Sequence, residues 1–256
     1  MGSLIVVGTG IKPIAQTSAE AVSYIESSDR VFFIVADALS HYWIEKLNPK
    51  AESLIEYYQP GKDRLTTYNE IVEHVLRAVR EGFSVCFAVY GHPGVFAYPT
   101  HESVRQARAE GYHAEMLPSV SAEDCLFADL GVDPGDGCQS YEATDFLVRK
   151  RRIETRAALI LWQIGLVAQP RHKNEFGLWN PAGLDILIET LLKHYDRHHE
   201  VTVYEAARYA SCNPMIQRVE LGRLGESKIG AISTLYVPPK KSAPIDKVMA
   251  RRLGLI

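Results

Sequence analysis

The feature that most constrains this chain is in its first half, where short apolar β-branched runs alternate with segments of helical period. Residues 4–7 form a buried-strand run that ends on Gly8-Thr9-Gly10. Ser18 stands where a helix cap belongs, ahead of the apolar positions Ala21, Val22, Tyr24 and Ile25. Residues 31–35 read as a second strand, 41–47 as a short helix before Pro49, and 54–57 as a third strand. The clearest helix is 64–81, where Tyr68, Ile71, Val72, Val75, Leu76 and Val79 recur near the helical period and Gly82 follows. Residues 85–89, 100–110 and 113–116 continue as strand, helix and strand, and "LPSVSAEDCLFADLG" as a turn and a helix. Such alternation predicts a mostly parallel sheet with helical crossovers. Ligands of these sheets bind beyond the carboxyl ends of the strands. That singles out three loops, at residues 8–10, 90–98 and 118–122.

The second half reads differently. Residues 157–163 ("AALILWQ") are a buried strand, 184–195 an amphipathic helix and 200–204 a strand. Residues 216–221 and 231–237 are expected to pair as antiparallel strands. With 256 residues there is room for two modest domains. The expected division is an N-terminal α/β lobe at 1–125 with a mostly parallel sheet, a C-terminal α/β lobe at 126–240 with a mixed sheet, and a basic tail at 241–256.

Composition excludes some roles. A net charge of −3 gives no broad electrostatic attraction to nucleic acid. The basic run at 149–152 reads as a solvated connection. The four cysteines form no CxxC pair, the opening apolar run is too short for an export signal, and no run approaches a membrane span, so a cytoplasmic location is expected. The histidines, among them His74 and the His198-His199 pair, lack metal-ligand spacing, and no metal is expected. A dinucleotide fingerprint fails as well: the third glycine's place is taken by Pro13, although Asp37 stands near the end of the second strand. No glycine-rich stretch leads into Gly-Lys-Ser/Thr, so there is no phosphate loop.

Two stretches carry chemistry. In "YYQPGKDRLTTY" (57–68), Arg64 and Tyr68 are four apart and share a helix face, with Tyr58 across a Pro-Gly turn. The plain structural reading is a surface arginine with two half-buried tyrosines. The chemical reading is that a guanidinium beside a phenol favours phenolate, giving a general base and an oxyanion partner. In "VYGHPGVFAYP" (89–99), small and turn-forming residues follow a buried strand and let backbone approach a ligand. Ser121 can simply cap the next helix, with Asp124 completing a capping box. Gln163 ends an apolar run, where a buried amide needs partners.

As an ordered set, "VGTG", "YGHPGVF", "PSVSAEDCLFADLGVDPG" and "LWQIG" resemble the tetrapyrrole methylase superfamily, whose members bind S-adenosylmethionine. Gly91-His92-Pro93 stands where most members have Gly-Asp-Pro. That departure, with Tyr58, Arg64 and Tyr68, is similar to the borosin peptide backbone α-N-methyltransferases, over nearly the whole chain to about residue 240. The resemblance implies a tetrapyrrole-methylase-like (class III methyltransferase) α/β fold of two lobes with a cofactor cleft between them. It implies that Tyr90, His92, Val95, Phe96, Ser121, Ala122, Gln163, Ala206, Ser233 and Thr234 form the S-adenosylmethionine site. Tyr58, Arg64 and Tyr68 would be catalytic, with S-adenosylhomocysteine as product.

The chemistry so implied is α-N-methylation of backbone amides in a precursor peptide. Either Tyr58 or Tyr68 would remove the amide proton and Arg64 would stabilise the imidate. The chain ends about where the methyltransferase core of fused relatives ends, so a split system acting on a separate precursor is expected, working as a homodimer or as a heterotetramer with two precursors. Two alternatives stand beside it: a small-molecule methyltransferase of the same superfamily, acting on a tetrapyrrole or corrinoid precursor, and a non-catalytic binding partner.

Overall fold

A computed structural model describes residues 2–35, 37–173, 178 and 180–256. The chain forms two compact units, one of residues 1–132, 169–175 and 205–215, the other of 133–168, 176–204 and 216–256.

The first unit runs β1 (Ser3–Gly8), α1 (Ala19–Ser27), β2 (Arg30–Ile34), α2 (Ala38–Leu47), β3 (Ala51–Ser53), α3 (Arg64–Arg80), β4 (Ser84–Val89), α4 (Tyr98–Ala109), β5 (His113–Met116) and α5 (Ala122–Leu130). Its five strands lie in the order β3-β2-β4-β1-β5 and all pair in parallel. Side-chain alternation explains the three layers. Leu4, Val6, Phe32, Val85, Phe87 and Val89 face one side and pack on Ile71, Val72, Val75 and Val79 of α3 and Val104 and Ala107 of α4. Ile5, Val7, Val31, Phe33, Cys86 and Ala88 face the other and pack on Ala21 and Ile25 of α1 and Ile44 of α2. Both faces are covered, which is why these strands read as continuous apolar runs.

The chain leaves β1 toward β2 and leaves the adjacent β4 toward β5, in opposite directions across the sheet. That reversal opens a crevice at the carboxyl ends of β1 and β4. The expected third strand at 54–57 is not a strand. β3 lies three residues earlier, and Ile55–Tyr57 form a 3-10 turn that sends Tyr57 and Tyr58 in different directions.

The second unit holds β6 (Cys138–Glu142), α6 (Ala143–Val148), β7 (Ala158–Trp162), α7 (Pro181–Leu192), β8 (Glu200–Glu205), β9 (Met215–Glu220), β10 (Thr234–Val237) and α8 (Lys247–Arg252). The sheet order is β6-β7-β10-β8-β9. It is mixed: β6 and β7 are parallel, and β10 is antiparallel to both β7 and β8. The expected pairing of 216–221 with 231–237 is therefore wrong, because β8 lies between β9 and β10.

Candidate active site

The start of α3 brings the first predicted cluster together. Asp63 caps the helix by accepting a hydrogen bond from the Thr66 amide at 3.0 Å. One turn apart on the same face, Arg64 Nε donates to the Tyr68 hydroxyl at 3.1 Å. Arg64 Nη1 also reaches the Gln169 carbonyl at 3.4 Å, which fixes the guanidinium at both ends. Tyr58 leaves the 3-10 turn with its ring 6.3 Å from that of Tyr68, at 61°. Tyr98, at the start of α4, stacks on Tyr68 at 6.0 Å and 30°. Tyr58, Arg64 and Tyr68 thus form one half-buried cluster.

A fourth member comes from far along the chain. Residues 169–173 are stitched to the turn before α3: Arg64 N donates to Pro170 O at 3.0 Å, Gly61 N to His172 O at 2.9 Å, and His172 N to Lys62 O at 3.1 Å. This sets the His172 ring 5.0 Å from Tyr58 and 6.1 Å from Tyr68. His172 is only 9% exposed, and its Nε2 is buried without a hydrogen-bond partner. Sequence reasoning missed it, since a lone histidine in "QPRHK" carries no local signal.

The electrostatics correct one expectation. The Tyr58 phenol is raised, not lowered: burial is the larger cause, the Tyr68 phenol adds to it, and Arg64 opposes without prevailing. His172 is lowered from its usual 6.5, first by burial and then by the Arg64 charge. Asp63 acts in the opposite sense and Lys62 in the same one. The cluster therefore holds a neutral phenol and a neutral imidazole at pH 7.

The loops after β1, β4 and β5 meet at Gly8. A side chain there would meet Gly91 O at 2.2 Å, Ser119 Cβ at 2.6 Å and Pro93 Cδ at 2.8 Å, so only glycine fits. Gly91 N donates to Gly10 O at 3.0 Å across the same crossing. Tyr90 is half-buried at the end of β4, its phenol pushed by burial up to about 12. His92 Nδ1 accepts from Gly94 N at 2.9 Å, so the imidazole closes its own turn. Val95 is half-buried, and Phe96 is exposed with a left-handed φ of 52°. Ser121 forms the capping box with Asp124, its hydroxyl accepting from the Asp124 amide at 3.2 Å, and Ala122 is the first helical residue behind it. Sequence reading gave Asp37 no role here. It caps α2; burial pushes its carboxyl up, but the hydrogen bonds from Ser40, joined by one from Tyr209, outweigh that and hold it below the usual carboxylate range. Arg208 and Asp37 both act on Tyr90.

In the second unit, Gln163 follows β7 in a left-handed conformation, φ 57°, unusual for a residue with a side chain. Ile164 N donates to Ser233 O at 3.0 Å, which ties the end of β7 to the start of β10. Ser233 is fully buried and its hydroxyl accepts from Gly230 N at 2.8 Å. Thr234 is buried and pairs with Tyr204 of β8. Antiparallel pairing puts the end of β7, the start of β10 and the end of β8 at one edge of this sheet. Ala206 follows β8 directly, in the segment that clusters with the first unit.

A parallel sheet with glycine-built loops over its carboxyl edge, followed by a mixed five-stranded sheet, is the architecture of a class of methylases. The sequence matches the family described as Tetrapyrrole (Corrin/Porphyrin) Methylases over residues 3–226, and the chain belongs to that family. Solved structures agree on the fold. Uroporphyrin-III-C-methyltransferase from Thermus thermophilus superposes with a TM-score of 0.64 at 18% identity, covering 93% of this chain and 92% of that one. Diphthine synthase gives a TM-score of 0.60 at 15% identity, covering 94% and 91%.

Nearer in sequence is the methyltransferase/ribosomally synthesized cyclic peptide dendrothelin A precursor of Dendrothele bispora, 42% identical over 260 residues. The omphalotin A precursor protein of Omphalotus olearius is 40% identical over 265 residues. Each alignment takes in 100% of this chain and 62% of the relative, so the chain spans about three-fifths of the length of these relatives. Among the described residues no helix is long and apolar enough to cross a membrane, and no group of three or more His, Cys, Asp or Glu is placed to hold a metal ion.

Proposed function

We propose that this protein methylates backbone amide nitrogens of a precursor peptide, with S-adenosylmethionine as methyl donor. The observation that carries this is the Arg64–Tyr68 hydrogen bond of 3.1 Å with Tyr58 across from it, in a chain 42% identical to a methyltransferase/cyclic-peptide precursor. An amide nitrogen is a poor nucleophile because its lone pair is shared with the carbonyl. Removing its proton shifts charge onto oxygen. A tyrosine oxygen takes that proton, and the Arg64 guanidinium stabilises the charge on the carbonyl oxygen. Arg64 is suited to this, being held at Tyr68 and at Gln169 before any substrate arrives.

When bound, the cofactor supplies an electrophilic methyl on a sulfonium. The groups present suit a cationic amino-acid ligand: the aromatic faces of Tyr90 and Phe96, the carboxylate of Asp37, and backbone brought close at Gly8 and Gly91. Tyr90, His92, Val95, Phe96, Ser121, Ala122, Gln163, Ala206, Ser233 and Thr234 are the residues proposed to hold it. The left-handed Phe96 and Gln163 support this, since strained backbone of this kind gathers at ligand sites.

The substrate is read as a separate precursor and the active species as a homodimer, alone or with two precursors. The test is mass spectrometry of candidate precursor peptides incubated in trans with the 256-residue chain and S-adenosylmethionine, with size measurement of the mixture. Added multiples of one methyl, mapped to backbone nitrogens, are expected. Methylation of a porphyrinoid and of no peptide would overturn the reading.

A further inference from the structure

The Tyr–Arg–Tyr cluster leaves two questions: which tyrosine is the base, and where the proton goes. Burial keeps Tyr58 protonated at neutral pH, so a resting phenolate there is not available to start the reaction. Tyr68 has its hydroxyl oxygen occupied as the acceptor of Arg64 Nε, which leaves its own O–H free to donate. His172 sits closer to Tyr58 than to Tyr68, 5.0 against 6.1 Å between ring centroids, with a buried nitrogen that bonds to nothing. An unpartnered buried polar atom carries a desolvation cost, and such atoms are few in folded proteins. The backbone bonds at Gly61, Lys62 and Arg64 hold this histidine in place regardless of its side chain.

We infer that the cluster divides into two pairs, in which Tyr58 with His172 takes the amide proton and Arg64 with Tyr68 holds the imidate oxygen. This rests on the peptide-methylation reading above. His172 is a positioning residue that acts through Tyr58. The Tyr58 hydroxyl makes no bond to His172 Nε2 at rest; as its oxygen takes the proton from the amide nitrogen, it closes on Nε2 and passes its own hydrogen there. The phenol is regenerated, and the imidazole becomes imidazolium. The imidate nitrogen then forms its bond to the sulfonium methyl, the methyl–sulfur bond breaks with its electron pair left on sulfur, and the proton on His172 returns to solvent. One proton is released for each methyl transferred, and charge balances. A neutral imidazole can accept a proton where an imidazolium cannot, and burial with the Arg64 charge keeps His172 neutral at pH 7. The groups facing it are Tyr58 and Tyr68 as phenols, Arg64 and Lys62, which disfavour its charged form, and Asp63, which favours it, with Arg171 next to it in the chain.

The test uses the full chain with S-adenosylmethionine and the methylated peptide. His172→Gln and His172→Ala should each lower kcat by about 10²-fold or more with KM unchanged within about twofold. Added imidazole should restore turnover to His172→Ala and not to Tyr58→Phe. The wild-type rate should fall at a pH below 6.5, where His172 takes its proton, and that limb should be absent from His172→Ala. Full kcat in His172→Gln, or a folded His172→Ala that imidazole does not rescue, overturns the inference. A second measurement needs no turnover: an NMR titration of His172 in the cofactor-free chain should shift between wild type and Tyr58→Phe, and an unchanged titration overturns the pairing. A wild-type chain that methylates no peptide sinks the proposed function, while the titration still decides the Tyr58–His172 pair.

Discussion

Tyr57 and Tyr58 are neighbours, and each faces a histidine, yet the two pairs are built to opposite ends. The Tyr57 hydroxyl meets His74 Nδ1 at 3.1 Å, and His74 Nε2 meets Glu52 at 3.0 Å. Lys62 lies 5.7 Å over the Tyr57 ring. Every ring nitrogen of His74 is engaged, at a half-exposed rim of α3. Tyr58 turns the other way, into the half-buried cluster, against the buried His172, whose Nε2 is left without a partner. A satisfied network fixes structure. An unsatisfied one beside an arginine leaves a polar atom open to a further partner. The 3-10 turn at Ile55–Tyr57 separates the two, since it sends consecutive side chains to different sides.

The largest expected contrast comes from one oxygen atom at each position. Tyr58→Phe should lower kcat about 10²- to 10⁴-fold with cofactor affinity intact. Tyr57→Phe should leave kcat within about twofold and lower stability by about 1 kcal/mol through its lost hydrogen bond. Steady-state kinetics beside chemical denaturation read both. Equal losses of kcat would break the distinction. Next in size, Arg64→Leu should cost about 10²- to 10³-fold in kcat as an oxyanion partner. If cofactor affinity fell instead, Arg64 would belong to the cofactor site. A smaller effect separates strain from packing at Gln163. Its left-handed backbone costs about 1–2 kcal/mol, so Gln163→Gly should raise the denaturation midpoint while weakening cofactor binding. A lower midpoint would mean that the amide is structural.

Local pattern made much of the first unit readable. Residues 4–7, 31–35 and 85–89 are apolar on both faces because helices cover both sides of the sheet, and Ser18 and Ser121 cap the helices they precede. The pair Arg64 and Tyr68 was legible because helical spacing alone puts them on one face. The misread segment is instructive: Leu54 is fully buried and its amide still bonds Phe33 O, but Ile55 is 43% exposed, because the chain turns there. An apolar run does not announce a turn. β6, "CQSYE", escaped notice because it is polar and only half-buried, and the order β10-β8-β9 escaped because sheet order is a non-local property. His172 was out of reach for the same reason, joining Tyr58 across 114 positions of sequence by backbone bonds that no side-chain pattern encodes.

The smallest effect is a pH dependence that belongs to His172. Its folded-state pKa is below the 6.5 of an unfolded imidazole, so the unfolded chain binds a proton first as pH falls. Above 6.5 both states are neutral at this position and it contributes no slope. Below that value, stability should drop with falling pH, by at most about 1.4 kcal/mol per pH unit for one proton, until the folded imidazole is itself protonated. Denaturation midpoints at pH 7.5 and 5.5, taken for wild type and His172→Phe, isolate the contribution. The phenylalanine variant should lose less stability on acidification, because its buried ring has nothing to protonate. If both chains lost the same amount, the imidazole would be charged as easily in the fold as in water. A histidine so placed is solvated, and the contrast with His74 at the rim would no longer hold.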